Sequence, residues 1–456
     1  MSTSIAPLEN LGRVHFIGIG GVGMSAVARI MVARGVPVSG SDAKDLPVMQ
    51  DLAAAGARIA VGYDAANLGD AQTVVAGSAI RADNPELVAA RDSGLPVLHR
   101  SEGLAATMAG HRVVTVAGTH GKSTTTSMIA VLLKEAGLDP TFAIGANVPA
   151  LGVNAAHGSS DIFVAEADES DGSFLNYQPL ISVVTNVEAD HLDHYGTPEA
   201  VFASFDAFAA LLPAEGVLLA CADDPGALAL AQRTAAAGTT RVLTYGTSPD
   251  ADIRLHDGGP GNVSVGLGGD IHGLELKVPG RHNALNAAAA FAVALELGVA
   301  PAAAAAALGH FTGASRRFEL KGQVRGVRVY DDYAHHPTEV RAALSAARSV
   351  AGGNKVHVLF QPHLFSRTRE FASEFASALD AADTALVLDI YPAREDPIPG
   401  VTSSLISDQL SSGRLVTGAE AVDAIVKVAG EGDVVITVGA GDVTAYGPVI
   451  VEALGG

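Results

Sequence analysis

The sequence predicts an α/β protein of three domains, each a mostly parallel sheet with helices on its faces. Three observations carry this. The 456 residues leave room for about three domains of ordinary size. Short β-rich runs alternate with amphipathic helical runs, the rhythm of strand, crossover helix and parallel strand, and that rhythm starts afresh twice. Apolar residues make up 48% of the chain and charged ones only 17%, so a compact fold is expected rather than disorder.

Taken in order, RVHFIG reads as a strand, MSAVARIMVARG as a helix closed by Gly35, and VPVSGSD as the next strand. The runs TVVAGSAI and LPVLHR continue this sheet to about residue 100. A second unit opens with RVVTVAG, a Gly-rich loop and the helix STTTSMIAVLLKEAG, closed by Gly137. The strands DIFVAEA and ISVVTNV follow, each ending in a polar cluster; Thr197 then caps a helix with Pro198 in its first turn. Between Ala251 and Gly280, short alternating runs with Gly turns predict an antiparallel flap, followed by an Ala-rich helical pair up to Gly309. The third unit starts near Arg316 with VRVYDD, KVHVLF, TALVLDI and DVVITVG. The expected domains are 1–107, 108–313 and 314–456. In such sheets ligands bind beyond the carboxyl ends of the strands, where the polar residues of this chain collect.

Charge narrows the partners. With 29 Lys and Arg against 49 Asp and Glu the net charge is −20, which disfavours nucleic acid and anionic membrane and obliges any anionic ligand to find a local basic pocket. A single cysteine, Cys221, excludes an intramolecular disulfide framework. The first twenty residues lack a secretory pattern, and the apolar run from Phe291 to Leu308 is interrupted by Glu296 and Pro301, so a cytoplasmic protein without a membrane span is expected.

Two loops and two acidic clusters carry the chemistry. Gly18, Gly20, Gly21, Val22 and Gly23 follow a strand and open a helix, a spacing that lets backbone amides and a helix N-terminus approach a diphosphate; Asp42, at the end of the second strand, stands where a dinucleotide fold keeps its ribose-binding acid. A plain tight turn is the alternative. The second loop, Gly118-Thr119-His120-Gly121-Lys122-Ser123-Thr124, matches the short phosphate-loop form G-x-x-G-K-[ST]: amides cradle phosphates, Lys122 neutralises them and the Ser123 hydroxyl suits Mg²⁺. The clusters Glu166 to Asp171 and Asn186 to His191 each follow a strand of the same domain and offer mainly oxygen ligands, suited to Mg²⁺ and poorly to zinc. Some of these acids merely cap helices or face water. A dehydrogenase has no use for the second loop, and a switch NTPase has none for a complete Rossmann unit before it. Extending a nucleotide-linked substrate at the expense of ATP needs both.

The runs GIGGVGMS, GTHGKSTTT, EADESDGSF, TNVEADHLDHYG, GRHNALNAAAA, RRF, DDYAHHPTEV and QPHLFSRT occur in an order that resembles the Mur ligase family over essentially the whole chain. The resemblance implies an N-terminal Rossmann-like sheet for a UDP-sugar, a central P-loop ATPase-type domain and a C-terminal Rossmann-like domain for an amino acid. It implies ATP-driven joining of L-alanine to the lactyl carboxylate of UDP-N-acetylmuramate through an acyl phosphate, in cytoplasmic peptidoglycan precursor synthesis. The rival readings are a recycling ligase that couples the same sugar nucleotide to a murein tripeptide and, more distantly, an NAD-dependent oxidoreductase. Carried over by position, the first loop with Asp42 and Ser78 would hold the UDP-sugar, and Ser123, Glu166 and His191 would hold Mg²⁺, or Mn²⁺ in its stead. Asn283, Asn286, Arg317 and Asp332 would join the second loop on ATP. Tyr333, His335 and Arg367 match the alanine pocket, with Arg369 the rival for its carboxylate contact and His335 a candidate base. Many relatives carry a lysine carbamate at the metal; here no Lys lies between Lys134 and Lys277, so that device is not expected. The stretches AHHP and HLFSR depart from the commoner GHHP and HRYTR, which bears on the alanine contacts. A monomer or homodimer is expected.

Overall fold

A computed structural model describes residues 7–258, 263–393 and 395–456. Three α/β sheets are present. The first holds β1 (Val14–Ile17), β2 (Val38–Asp42), β3 (Arg58–Val61), β4 (Thr73–Ala76) and β5 (Val97–His99), all parallel in the order β3-β2-β1-β4-β5. β1 lies between β2 and β4, fully buried along its length, so the helix after it starts at the centre of the sheet edge where ligands gather. The run TVVAGSAI forms a strand only to Ala76, and LPVLHR gives way to helix at Arg100, because the His99 side chain and Glu102 build a capping box there.

The second sheet contains β6 (Arg112–Ala117), β7 (Thr141–Val148), β8 (Val153–Ala156), β9 (Ile162–Glu166), β10 (Ile181–Val184), β11 (Val217–Cys221), β12 (Arg241–Gly246), β13 (Ile253–Asp257), β14 (Val263–Leu267) and β15 (Asp270–Leu274). Their order is β15-β14-β13-β12-β11-β10-β6-β9-β7-β8. β13 to β15 are the expected antiparallel flap. At the other edge β7 and β8 pair antiparallel, a hairpin that the sequence rhythm did not announce because one long run and one short one are split by only four residues. β6 lies between β10 and β9, with Ala117 opposite Val184 and Val116 opposite Glu166. Both acidic clusters therefore leave the sheet on either side of the loop that follows β6.

The third sheet holds β16 (Glu319–Val324), β17 (Val327–Asp332), β18 (Val356–Phe360), β19 (Thr384–Val387), β20 (Gly413–Leu415) and β21 (Val434–Val438) in the order β16-β17-β21-β18-β19-β20. Only β16 runs antiparallel, paired to β17 by the turn at Gly326. Two apolar layers cover this sheet: Val340, Leu344, Phe360 and Phe375 centre one, and Val329, Leu359, Ile425 and Ile450 the other.

The chain packs as two compact units. The first contains the first two sheets and ends near Phe311; the second is 312–456 together with 276–284. No helix among the described residues is long and apolar enough to cross a membrane.

Candidate functional site

The first glycine loop is built as its spacing requires. Gly18 takes φ +79°, and Gly20 donates its N–H to Asp42 Oδ2 at 3.0 Å. Asp42 thus pins the loop through one carboxylate oxygen. Gly21 then caps the helix Val22–Ala33 in extended geometry without a side-chain bond, leaving the first N–H groups of a 12-residue helix facing out. Ser78, predicted beside this loop, shares hydrogen bonds with His99 Nε2 and with Asp171 Oδ2, each at 3.0 Å. It bridges the first sheet to the acidic cluster of the second.

The second loop turns on Gly118 at φ +136° and on Gly121 at φ +82°, which caps the helix Lys122–Glu135. Ser123, Thr124 and Thr119 are nearly buried. Two residues just past β10, Thr185 and the first member of the second polar cluster, Asn186, hold the loop's backbone, a role the sequence did not assign to either. His120 N–H donates to Asn186 Oδ1 at 2.7 Å, and the His120 carbonyl accepts from Thr185 Oγ1 at 2.5 Å and Asn186 Nδ2 at 3.0 Å. Their only signal was a polar pair ending an apolar strand. Asn286 packs on Gly121, whose missing Cβ would sit 3.1 Å from Asn286 Oδ1.

Lys122 Nζ donates to the Gly118 carbonyl at 2.7 Å and meets Glu169 at 2.9 Å. Burial works against its charge, but Glu169, Asp168 and Glu166 together outweigh this and hold its pKa above the usual lysine value. Glu169, only 1% exposed, was passed over in the sequence although it lies in a quoted cluster.

Of the predicted metal set, Ser123 and Glu166 are brought together: the hydroxyl donates to Glu166 Oε1 at 3.0 Å, while Gly145 N–H donates to Oε2 at 2.9 Å. His191 faces Glu169 at 3.5 Å instead, held in a left-handed turn at φ +55°. Burial lowers its affinity for a proton, but the Glu169 hydrogen bond and Asp190 reverse this and raise its pKa. The Ser123 hydroxyl and the Glu166 carboxylate beside the phosphate loop are hard oxygen donors, which fit Mg²⁺.

The remaining predicted residues lie in the second unit. Asn283 donates to the Pro279 carbonyl at 2.6 Å. Arg317 stands between two residues in positive φ, Arg316 at +60° and Phe318 at +49°, and lies over the Tyr333 ring with its carbon 5.1 Å from the centroid. Asp332 accepts N–H bonds from Phe318 and Ala334, both at 2.8 Å; burial, against the pull of Arg317, lifts its pKa to about 6. His335 stands edge-on to Tyr333 at 5.3 Å and near His363 at 6.0 Å, and Arg367 is 9% exposed in the helix Phe365–Glu370. His335 Nδ1 bonds the Tyr333 carbonyl at 3.1 Å, so Nδ1 carries the proton and Nε2 accepts. Burial, opposed by Glu339 and helped by Arg367, drives the His335 pKa down to about 3. At neutral pH it is an uncharged acceptor and a weak base.

These two groups give opposite acid responses. Below pH 6.5 the unfolded chain protonates His335 while the folded chain refuses, so stability falls as pH drops from there toward 3. Asp332 takes up its proton earlier in the folded state, so its contribution rises as pH falls from 6 toward 3.8. His335→Gln removes only the first response. Urea titrations should show the variant gaining on the parent by about 1.4 kcal/mol per pH unit between pH 6 and 4. A constant difference across that range would contradict the buried, neutral imidazole.

Three family models match the chain: a Mur ligase family catalytic domain over 13–112, a Mur ligase middle domain over 116–294, and a Mur ligase glutamate ligase domain over 316–441. The chain is 88% identical to a UDP-N-acetylmuramate–L-alanine ligase of Paenarthrobacter aurescens, covering all of both chains. Among solved structures, a UDP-N-acetylmuramate-alanine ligase from Thermotoga maritima superimposes with a TM-score of 0.78 at 30% identity, covering 96% of this chain and 98% of that one. A murein peptide ligase from Psychrobacter arcticus follows at 0.73 and 25%, covering 97% and 99%.

Proposed function

The chain belongs to the Mur ligase family, and from that premise we propose how its residues divide the reaction. It is an ATP-dependent ligase that joins L-alanine to UDP-N-acetylmuramate in peptidoglycan synthesis. The observation that carries the assignment of parts is the pair of glycine loops, each opening a helix at the carboxyl end of a central strand in a different sheet.

Gly18 to Gly23, with Asp42 and Ser78, receive the UDP-sugar. Gly118 to Thr124 receive the ATP phosphates, aided by Asn286; Asn283, Arg317 and Asp332 complete the nucleotide contacts. Tyr333, His335 and Arg367 receive L-alanine, with Arg367 pairing its carboxylate through a charge-assisted contact. The three domains would divide at about 107, between β5 and β6, and at about 313, between β15 and β16.

An amine does not displace hydroxide from a carboxylate at neutral pH, because hydroxide is a poor leaving group and the carboxylate carbonyl is deactivated. The lactyl carboxylate therefore attacks the γ-phosphorus of ATP, ADP leaves, and the acyl phosphate so formed is attacked at carbon by the alanine amine, which expels phosphate. Lys122 offsets the charge that spreads over the transferring oxygens. Ser123, Glu166 and His191 would hold Mg²⁺, whose contribution when bound is charge neutralisation at the phosphates. His335 Nε2, unprotonated, accepts a hydrogen bond from the ammonium and orients it.

The test is phosphate release with ATP, Mg²⁺ and UDP-N-acetylmuramate, adding each amino acid and a murein tripeptide in turn. L-alanine should support turnover at least tenfold above the tripeptide. Turnover with the tripeptide alone would favour the recycling ligase; sugar-independent ATP hydrolysis would sink both.

A further inference from the structure

We infer that Arg100 is a substrate-binding residue of the first loop and ties that loop to the phosphoryl-transfer site, one edge of its guanidinium serving the diphosphate and the other holding Asp168. This rests on the reading that the UDP-sugar occupies the first loop. The starting point is a deficit of charge. A diphosphate carries about two negative charges, the protein carries −20, and the loop from Gly18 to Gly23 contains no Lys or Arg. Backbone amides and a helix terminus supply only about half a positive charge. A cation must come from elsewhere in the chain.

Arg100 is the cation placed there. It opens the helix Arg100–Met108 directly after β5 and lies across Gly23, the second residue of the helix Val22–Ala33. A Cβ on Gly23 would run into Arg100 Nη1 and sit 3.0 Å from Cδ and 3.2 Å from Cζ. Glycine at this position makes room for a guanidinium over the outward-facing N–H groups. The other edge points away: Nη2 reaches Asp168 Oδ2 at 3.4 Å. Asp168 stands next in the chain to Glu169, which pairs with Lys122 Nζ at 2.9 Å. Arg100 over Gly23 thus pairs with one residue of the acidic cluster, Asp168, and Lys122 with the next, Glu169.

The corner bearing Arg100 is fixed on both sides. His99 meets Ser78 and Asp171, and Ser101 Oγ accepts from Asn176 Nδ2 at 2.8 Å. The guanidinium is therefore presented from an anchored backbone, still 31% exposed, with five donors of which Asp168 takes one. A lysine could neutralise the diphosphate but, as a single point charge, could not serve both edges.

The experiment measures binding of UDP by calorimetry, binding of a fluorescent ATP analogue, melting temperature, and KM against kcat for UDP-N-acetylmuramate. Arg100→Ala should weaken UDP about tenfold or more and leave the ATP analogue within about twofold, since a charged hydrogen bond is worth at least a factor of ten. Arg100→Lys should recover part of the UDP affinity while kcat stays depressed, and Asp168→Asn should keep UDP affinity and lower kcat. UDP affinity within about twofold in a folded Arg100→Ala overturns the inference, as does full kcat in Arg100→Lys. Should the alanine variant not fold, Arg100→Gln, which keeps cover over Gly23, replaces it. Gly21→Val, checked for an unchanged melting temperature, separates the two readings: Gly21 has φ −62° and its nearest neighbour is 3.4 Å from a Cβ, so a side chain can start there without backbone strain. If that variant binds UDP like the parent, the first-loop reading itself fails. If it loses UDP while Arg100→Ala keeps it, only the role of Arg100 fails.

Discussion

Lys122→Ala should lower ADP formation at least about a thousandfold while UDP-N-acetylmuramate binding stays within a few-fold of the parent, because the ammonium sits on the second glycine loop and the loop proposed for the sugar nucleotide opens from another sheet. The substitution has a second effect that must be separated from the first. Glu169 is 1% exposed and pairs with Lys122 at 2.9 Å, so truncation leaves a buried carboxylate without its main partner, at a cost of about 3 kcal/mol. Lys122→Ala combined with Glu169→Gln removes that uncompensated charge. The double variant should recover most of the melting temperature and none of the turnover. Recovery of turnover would mean that Lys122 supports the fold and not the phosphoryl transfer, and joint loss of UDP-sugar binding would argue against separate sites.

Gly118→Ala should be as damaging by a different route. At φ +136° an L side chain is strained, and a Cβ would run into Thr185 Oγ1 and stand 3.0 Å from the Asn186 carbonyl oxygen. The first obstacle is the Thr185 hydroxyl, held by its bonds to the Ala117 and His120 carbonyls, and the Asn186 backbone stands behind it. Strain and overpacking together should destabilise the first unit by about 3 kcal/mol, visible as a fall of several degrees in its melting temperature. ATP binding should be lost with it, since the same displacement breaks the bonds from Thr185 and Asn186 that shape the His120 carbonyl and amide. Gly137→Ala, also at positive φ but with nothing within 4 Å, should cost only the backbone strain and leave ATP binding intact. Equal damage from both would show that conformation, and not the approach of Thr185, decides the matter.

The two glycine loops were readable because their chemistry is local. A strand, a glycine spacing and a helix start are contiguous in the chain, and φ values of +79°, +136° and +82° at Gly18, Gly118 and Gly121 follow from short-range sterics. The alternation of strands and helices was legible for the same reason, as was the Thr197 cap, whose hydroxyl accepts from Ala200 N–H. What misled was also local: GSAI and HR continue an apolar rhythm, yet the strands stop at Ala76 and His99.

Which side chains meet was another matter. Glu169 opposite Lys122, Asn186 opposite His120 and Arg100 opposite Asp168 and Gly23 join residues 47 to 77 positions apart, and no spacing rule reaches that far. The sheet order decided it. Because β6 lies between β9 and β10, the segments leaving those two strands flank one loop, and because β1 is central in its own sheet its helix meets the helix that follows β5. The amino-acid sequence alone determined which residues carry charge, turn and phosphate-binding capacity, since those are properties of short stretches; only the tertiary structure decided their partners, burial and protonation, since these depend on the field and contacts of strands distant in the chain.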